Sequence, residues 1–62
     1  MYKLRIYELH GADKGSLDHE EFFETEQEMI DRYDELFEYN AYGLNPTAWK
    51  QKNGGWQRLT EY

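Results

Sequence analysis

The chain has no cysteine, a single proline, few bases and no long apolar run, and each shortage narrows what it can be. Without cysteine there is no disulfide, no thiolate metal site and no thiol nucleophile. A membrane helix needs about 20 consecutive apolar residues, and no stretch approaches that. The segment Met1-Tyr2-Lys3-Leu4-Arg5 leads into alternating residues, which predicts no signal peptide. Seven Lys and Arg stand against thirteen Asp and Glu, for a net charge of −6. That balance disfavours non-specific attachment to nucleic acid or anionic lipid and suits a basic partner. The expectation is a cytoplasmic protein with no membrane association, no cofactor and no direct contact with nucleic acid.

With 62 residues the chain makes one domain, residues 1–62, near the lower limit for folding without a staple. What it has in quantity is aromatic bulk: three Phe, two Trp and six Tyr. Each buried aromatic removes roughly 150–250 Å² from water, so Trp49 and Trp56 are expected to supply much of a thin core.

The pattern along the chain predicts α+β: a small antiparallel sheet of about four strands, ββαββ, with one amphipathic helix on one face. Tyr2 to Leu9 alternates as a strand, with Tyr2, Leu4 and Ile6 on one side and Lys3, Arg5 and Tyr7 on the other. His10 to Asp18 is rich in turn formers, and His19 to Glu24 makes a second strand. Thr25-Glu26-Gln27-Glu28 has the form of a capping box, in which the Thr hydroxyl and Glu carboxylate satisfy each other's backbone N–H groups. Met29, Ile30, Tyr33, Leu36 and Phe37 then follow a 3.6-residue period, and Asn40 to Gly43 is a plausible helix end before Asn45-Pro46. Thr47–Lys52 and Trp56–Tyr62 flank Asn53-Gly54-Gly55, a strong hairpin signal. A two-residue loop would put Trp49, Gln51, Trp56 and Arg58 on one face; a bulged three-residue loop would move Trp56 to the other.

The charge is segregated. Asp18 to Glu38 holds ten acids and one base, Arg32, for −9, while the rest of the chain carries six bases and three acids, for +3. Opposite the apolar stripe, Glu28, Asp31, Asp34, Glu35 and Glu38 share one helix face, with Glu24 extending the charge. Like charges at i, i+3 and i+4 weaken a helix, so an array without compensating bases points to a use for its field: competing for the Lys/Arg groove of a nucleic-acid-binding protein. Other surfaces carry less. Ser16, His10 and His19 lie in or beside one loop, a poor mount for a catalytic triad, so no enzyme activity is expected. His10, Asp13, Asp18 and His19 could converge on an ion, but match no ligand spacing. Lys3, Arg5, Lys50, Lys52 and Arg58, interleaved with Tyr7, Trp49 and Trp56, define an alternative: a sheet-face nucleic-acid binder. Edge-strand homodimerisation with a structural role is a third reading.

In its Tyr-rich start, its Thr25-Glu26-Gln27-Glu28 opening an acidic helix, and its Asn45-Pro46-Thr47-Ala48-Trp49 to Asn53-Gly54-Gly55-Trp56 ending, the chain resembles small phage and prophage proteins of Gram-positive bacteria. Among these it is closest in character to anti-CRISPR proteins and other DNA-mimic inhibitors. The resemblance implies action in the cytoplasm of an infected bacterium against a basic host protein, such as a CRISPR nuclease or another DNA-binding protein.

Overall fold

A computed structural model describes residues 1–9, 11–38 and 45–62. The elements run β1 (Tyr2–Tyr7), β2 (Leu17–Phe23), α1 (Glu26–Glu38), β3 (Thr47–Lys52) and β4 (Gly55–Leu59). The four strands form one antiparallel sheet in the order β2-β1-β3-β4, an α+β arrangement with the two hairpins joined through β1 and β3. Three strands differ from the sequence expectation at their ends. β1 stops at Tyr7 and not Leu9, β2 begins at Leu17 and stops at Phe23, and β4 runs Gly55–Leu59. The first hairpin still holds beyond β1, because the Glu8 N–H reaches the Ser16 carbonyl at 2.8 Å and the Gly15 N–H reaches the Glu8 carbonyl at 2.9 Å. The expected helix end at Asn40 to Gly43 lies outside the described residues.

The helix starts where its capping residue stands, but by a variant of the expected box. The Glu28 N–H donates to Thr25 Oγ1 at 3.3 Å, while the Glu28 carboxylate takes the Thr25 hydroxyl at 3.0 Å. Both halves of the bond therefore share one oxygen. Glu26 and Glu28 in the first turn favour the positive end of the helix dipole.

The core is aliphatic and small. Leu4, Met29 and Ala48 are fully buried, one each from β1, α1 and β3. Tyr2, Ile6, Phe23, Ile30, Tyr33, Leu36, Leu59 and Tyr62 pack around them half-buried. The helix makes its sheet contacts mainly with β1 and β2. Phe37, expected on the buried stripe, is instead 54% exposed and stacks on Tyr33, ring centroids 6.3 Å apart.

The two tryptophans are not core residues, which corrects the expectation. Leu4 pairs with Ala48 and Lys3 with Trp49, so strand alternation places Trp49 on the side of the sheet away from Met29. Gln51 pairs with Trp56 and Trp49 with Arg58, so those residues share that outer side. The loop is the two-residue one: Asn53 and Gly54 have φ of 50° and 81°, the left-handed values a tight hairpin turn requires. Space around Gly54 is open, so Gly54→Ala meets only backbone strain. It is expected to lower stability by about 1–2 kcal/mol, read as a lower urea midpoint with an unchanged slope.

Candidate functional site

Two surfaces of opposite character result, one on the outer side of α1 and one on the open side of the sheet. On the helix, Glu28, Asp31, Asp34 and Glu35 are exposed, and Glu24 is exposed just before the first turn. Glu38 is the last residue of α1, and its side chain is outside the described set. Local bonds hold part of this array: Gln27 Nε2 donates to Asp31 at 2.9 Å, and Arg32 Nη1 donates to Glu35 at 2.6 Å.

Arg32, the lone base of the acidic half, is turned toward β2. Its Nε and Nη2 donate to the two oxygens of Glu21 at 2.8 and 3.1 Å, a two-pronged bond that ties helix to sheet. The guanidinium holds the Glu21 carboxyl below the usual range, with His19 adding to the effect. Engaged by Glu21 and Glu35, Arg32 forms no ion pair with Glu24, Glu28, Asp31 or Asp34, and none of these four has an ion-pair partner among the described residues.

The same Glu21 anchors a second contact. His19 Nε2 lies 3.0 Å from Glu21, and its Nδ1 lies 2.8 Å from Asp18. Two ring nitrogens facing two carboxylates must both donate, so the pair favours the imidazolium. Bonding to Glu21, then to Asp18, raises the His19 pKa above its ordinary 6.5. His19 lowers that of Asp18 in turn, with Glu8 contributing. A raised histidine pKa stabilises the fold fully below 6.5, and that contribution is lost as pH rises through the folded value. The lowered carboxyls of Asp18 and Glu21 act oppositely: their contributions are present above the ordinary values of 3.8 and 4.5 and fade as pH falls. The network is therefore strongest between about pH 5 and 6.5. The urea midpoint is expected to fall modestly from pH 6 to pH 8.5, since His19 is half-exposed and solvent screens it. His19→Gln should flatten that slope; an equal slope in the variant would assign it elsewhere.

The other residues singled out in the sequence are less convergent. Ser16 belongs to the β1–β2 turn, its N–H bonded to the Asp13 carbonyl at 2.9 Å. Of the four residues considered for an ion, His10 is outside the described residues, and His19 is engaged by Asp18 and Glu21. Among the described residues no set of three His, Asp or Glu side chains could hold a metal, and no helix is long and apolar enough to cross a membrane. An open depression between Tyr33, Pro46 and Tyr62 has Arg58 as the one charged side chain among the described residues that line it.

No family model, no curated protein and no solved structure matches the chain.

The open sheet face is the surface the sequence misplaced. Lys3 donates to Glu20 at 2.8 Å and lies 4.5 Å from the Trp56 ring centroid and 6.0 Å from that of Trp49. The Arg5 guanidinium lies 5.9 Å from Trp49. Its Nε is 3.5 Å from Glu20, an ion-pair distance, and is buried without a hydrogen bond. Phe22 on β2 and Trp56 on β4 approach to 6.1 Å although they stand on opposite edges of the sheet. Three strand spacings are about 14 Å, so both rings lean inward over β1 and β3. Lys50 and Lys52, grouped with this face in the sequence, alternate to the other side, since Lys50 pairs with Tyr2. The usable signal was the shared parity of Lys3, Arg5 and Tyr7, and of Trp49 and Gln51. What hid it was the assumption that the largest side chains must face the helix.

Proposed function

We propose that this chain is a non-catalytic binding module, ββαββ in form with its helix laid on one sheet face, that docks the acidic helix against a basic, nucleic-acid-handling host protein in the manner of a phage DNA mimic. The observation that carries the reading is the exposed row of Glu28, Asp31 and Asp34, which no base neutralises among the described residues, flanked by Glu24 and Glu35. From Glu28 to Glu38 the helix advances about 15 Å, and that stretch of the sequence holds the carboxylates Glu28, Asp31, Asp34, Glu35 and Glu38. That is roughly one charge per 3–4 Å, close to the 3.4 Å per charge of one DNA strand.

The energetics favour a use for the array. Each like-charge pair at i, i+3 or i+4 costs about 0.2–0.5 kcal/mol, in a domain with three fully buried hydrophobic residues among those described. A lysine at any of these positions would relieve the repulsion. The test is a pull-down with the tagged chain from lysate of a Gram-positive host. The expected result is a basic nucleic-acid-handling protein that salt elutes and that added duplex DNA displaces. Capture that duplex DNA leaves untouched would overturn the mimic.

A further inference from the structure

We propose that the open face of the sheet binds single-stranded nucleic acid, with Trp49, Trp56 and Phe22 as a stacking platform, Lys3 holding the rings in place, and Arg5 and Arg58 supplying charge for the phosphates. This surface lies across the sheet from α1 and stands independently of the helix reading.

Three observations carry it. The first is placement: a sheet face not covered by the helix holds both tryptophans of the chain and a phenylalanine that is 55% exposed. Aromatic side chains set on a sheet accept two or three bases by stacking, because every base has a π-face. The second is local charge. Pairing and alternation put Lys3, Arg5 and Arg58 on this side against Glu20 and, at the β2 register shift, Asp18, so the face carries a slight excess of cations although the chain is acidic. The third is how the cations sit. Lys3 is only 12% exposed, held against Trp56 and Glu20, so the cluster is pre-organised.

The partner follows from needing both features at once. An acidic peptide offers anions without flat rings, and an apolar surface offers contact without charge. A single nucleic-acid strand offers both, with its bases free to stack, whereas in a duplex they are already stacked on one another. The chain's negative charge does not oppose this at physiological salt. A helix with its side chains is about 10–12 Å across, so the outer carboxylates of α1 stand more than one Debye length, about 8 Å, from the open face.

Trp49 and Trp56 being the chain's two tryptophans makes intrinsic fluorescence a direct reporter of this surface. The full chain is titrated with a ten-nucleotide oligodeoxythymidine in 150 mM salt. The expected result is saturable quenching, with the matching duplex at least about ten-fold weaker. Arg58 is exposed, so Arg58→Glu should fold normally, weaken binding and reduce the slope of log affinity against log salt by about one. Trp56→Leu should weaken binding at an unchanged slope, with Trp49 as the remaining reporter; should that variant not fold, the Arg58 result decides. No quenching overturns the proposal. So does equal quenching by polyglutamate, which would mark a site for acidic peptides. A change in emission on diluting the protein alone would mark a second copy as the occupant, and also overturns it.

Discussion

Leu4→Ala is expected to leave the chain unfolded at 25 °C. Leu4 is fully buried at the centre of β1, where it meets Met29 from the helix and Ala48 from β3, so its side chain joins three elements at once. Truncating such a residue costs about 2–5 kcal/mol, the loss of transfer free energy plus the cavity left behind. A chain of this size has roughly 3–5 kcal/mol from its core in total. The loss is therefore comparable with the whole stability. Far-UV circular dichroism and a urea titration check it: the variant should show no cooperative transition. Leu4→Met, which conserves volume, should stay folded, with a cost below about 1.5 kcal/mol. A cooperative transition in Leu4→Ala close to that of the parent would mean that the stability resides elsewhere, in the layer formed by Lys3, Trp49 and Trp56 on the other face.

Reversing two helix charges is expected to slow partner binding strongly while leaving the fold intact. Asp31 and Asp34 are exposed and take part in no ion pair among the described residues, so among those residues Asp31→Lys with Asp34→Lys removes the Gln27 bond to Asp31 and no salt bridge. The double variant should melt no lower than the parent, because it relieves like-charge repulsion along α1. Its association with a basic partner should slow by about 10²-fold at low salt, within the range electrostatic steering covers. The control must change net charge equally away from the helix. Asp13→Lys with Glu61→Lys does so, since Asp13 lies in the β1–β2 turn and Glu61 follows β4. Stopped-flow or surface binding separates the cases. Equal slowing in both variants would make the effect one of net charge and would end the case for the helix as the docking surface.

These two experiments probe opposite sides of one thin sheet, and the sides were not equally legible in the sequence. The helix was, because its signals are local. Thr25 and Glu28 lie three residues apart and cap one turn; Met29, Tyr33 and Leu36 recur at the helical period; the carboxylates fall opposite them by the same arithmetic. The tight turn was local too, since Asn53 and Gly54 readily adopt the positive φ that it needs. Charge segregation required only counting.

The sheet face depended on pairing between distant segments. Alternation states that Lys3 and Arg5 share a side, and that Trp49 and Gln51 do, but not that the two sides coincide or which of them the helix covers. That followed from β1 lying between β2 and β3, which sets Lys3 beside both Phe22 and Trp49 and Leu4 beside Ala48. Both sides of the sheet had large apolar groups to offer the helix. It took the side of Leu4, where the small Ala48 leaves room for Met29 to close against Leu4, and left the wider indole rings beside the charged ends of Lys3 and Arg5. Local sequence determined the elements and the acidic helix; long-range strand order, which no short-range pattern encodes, decided where the tryptophans went.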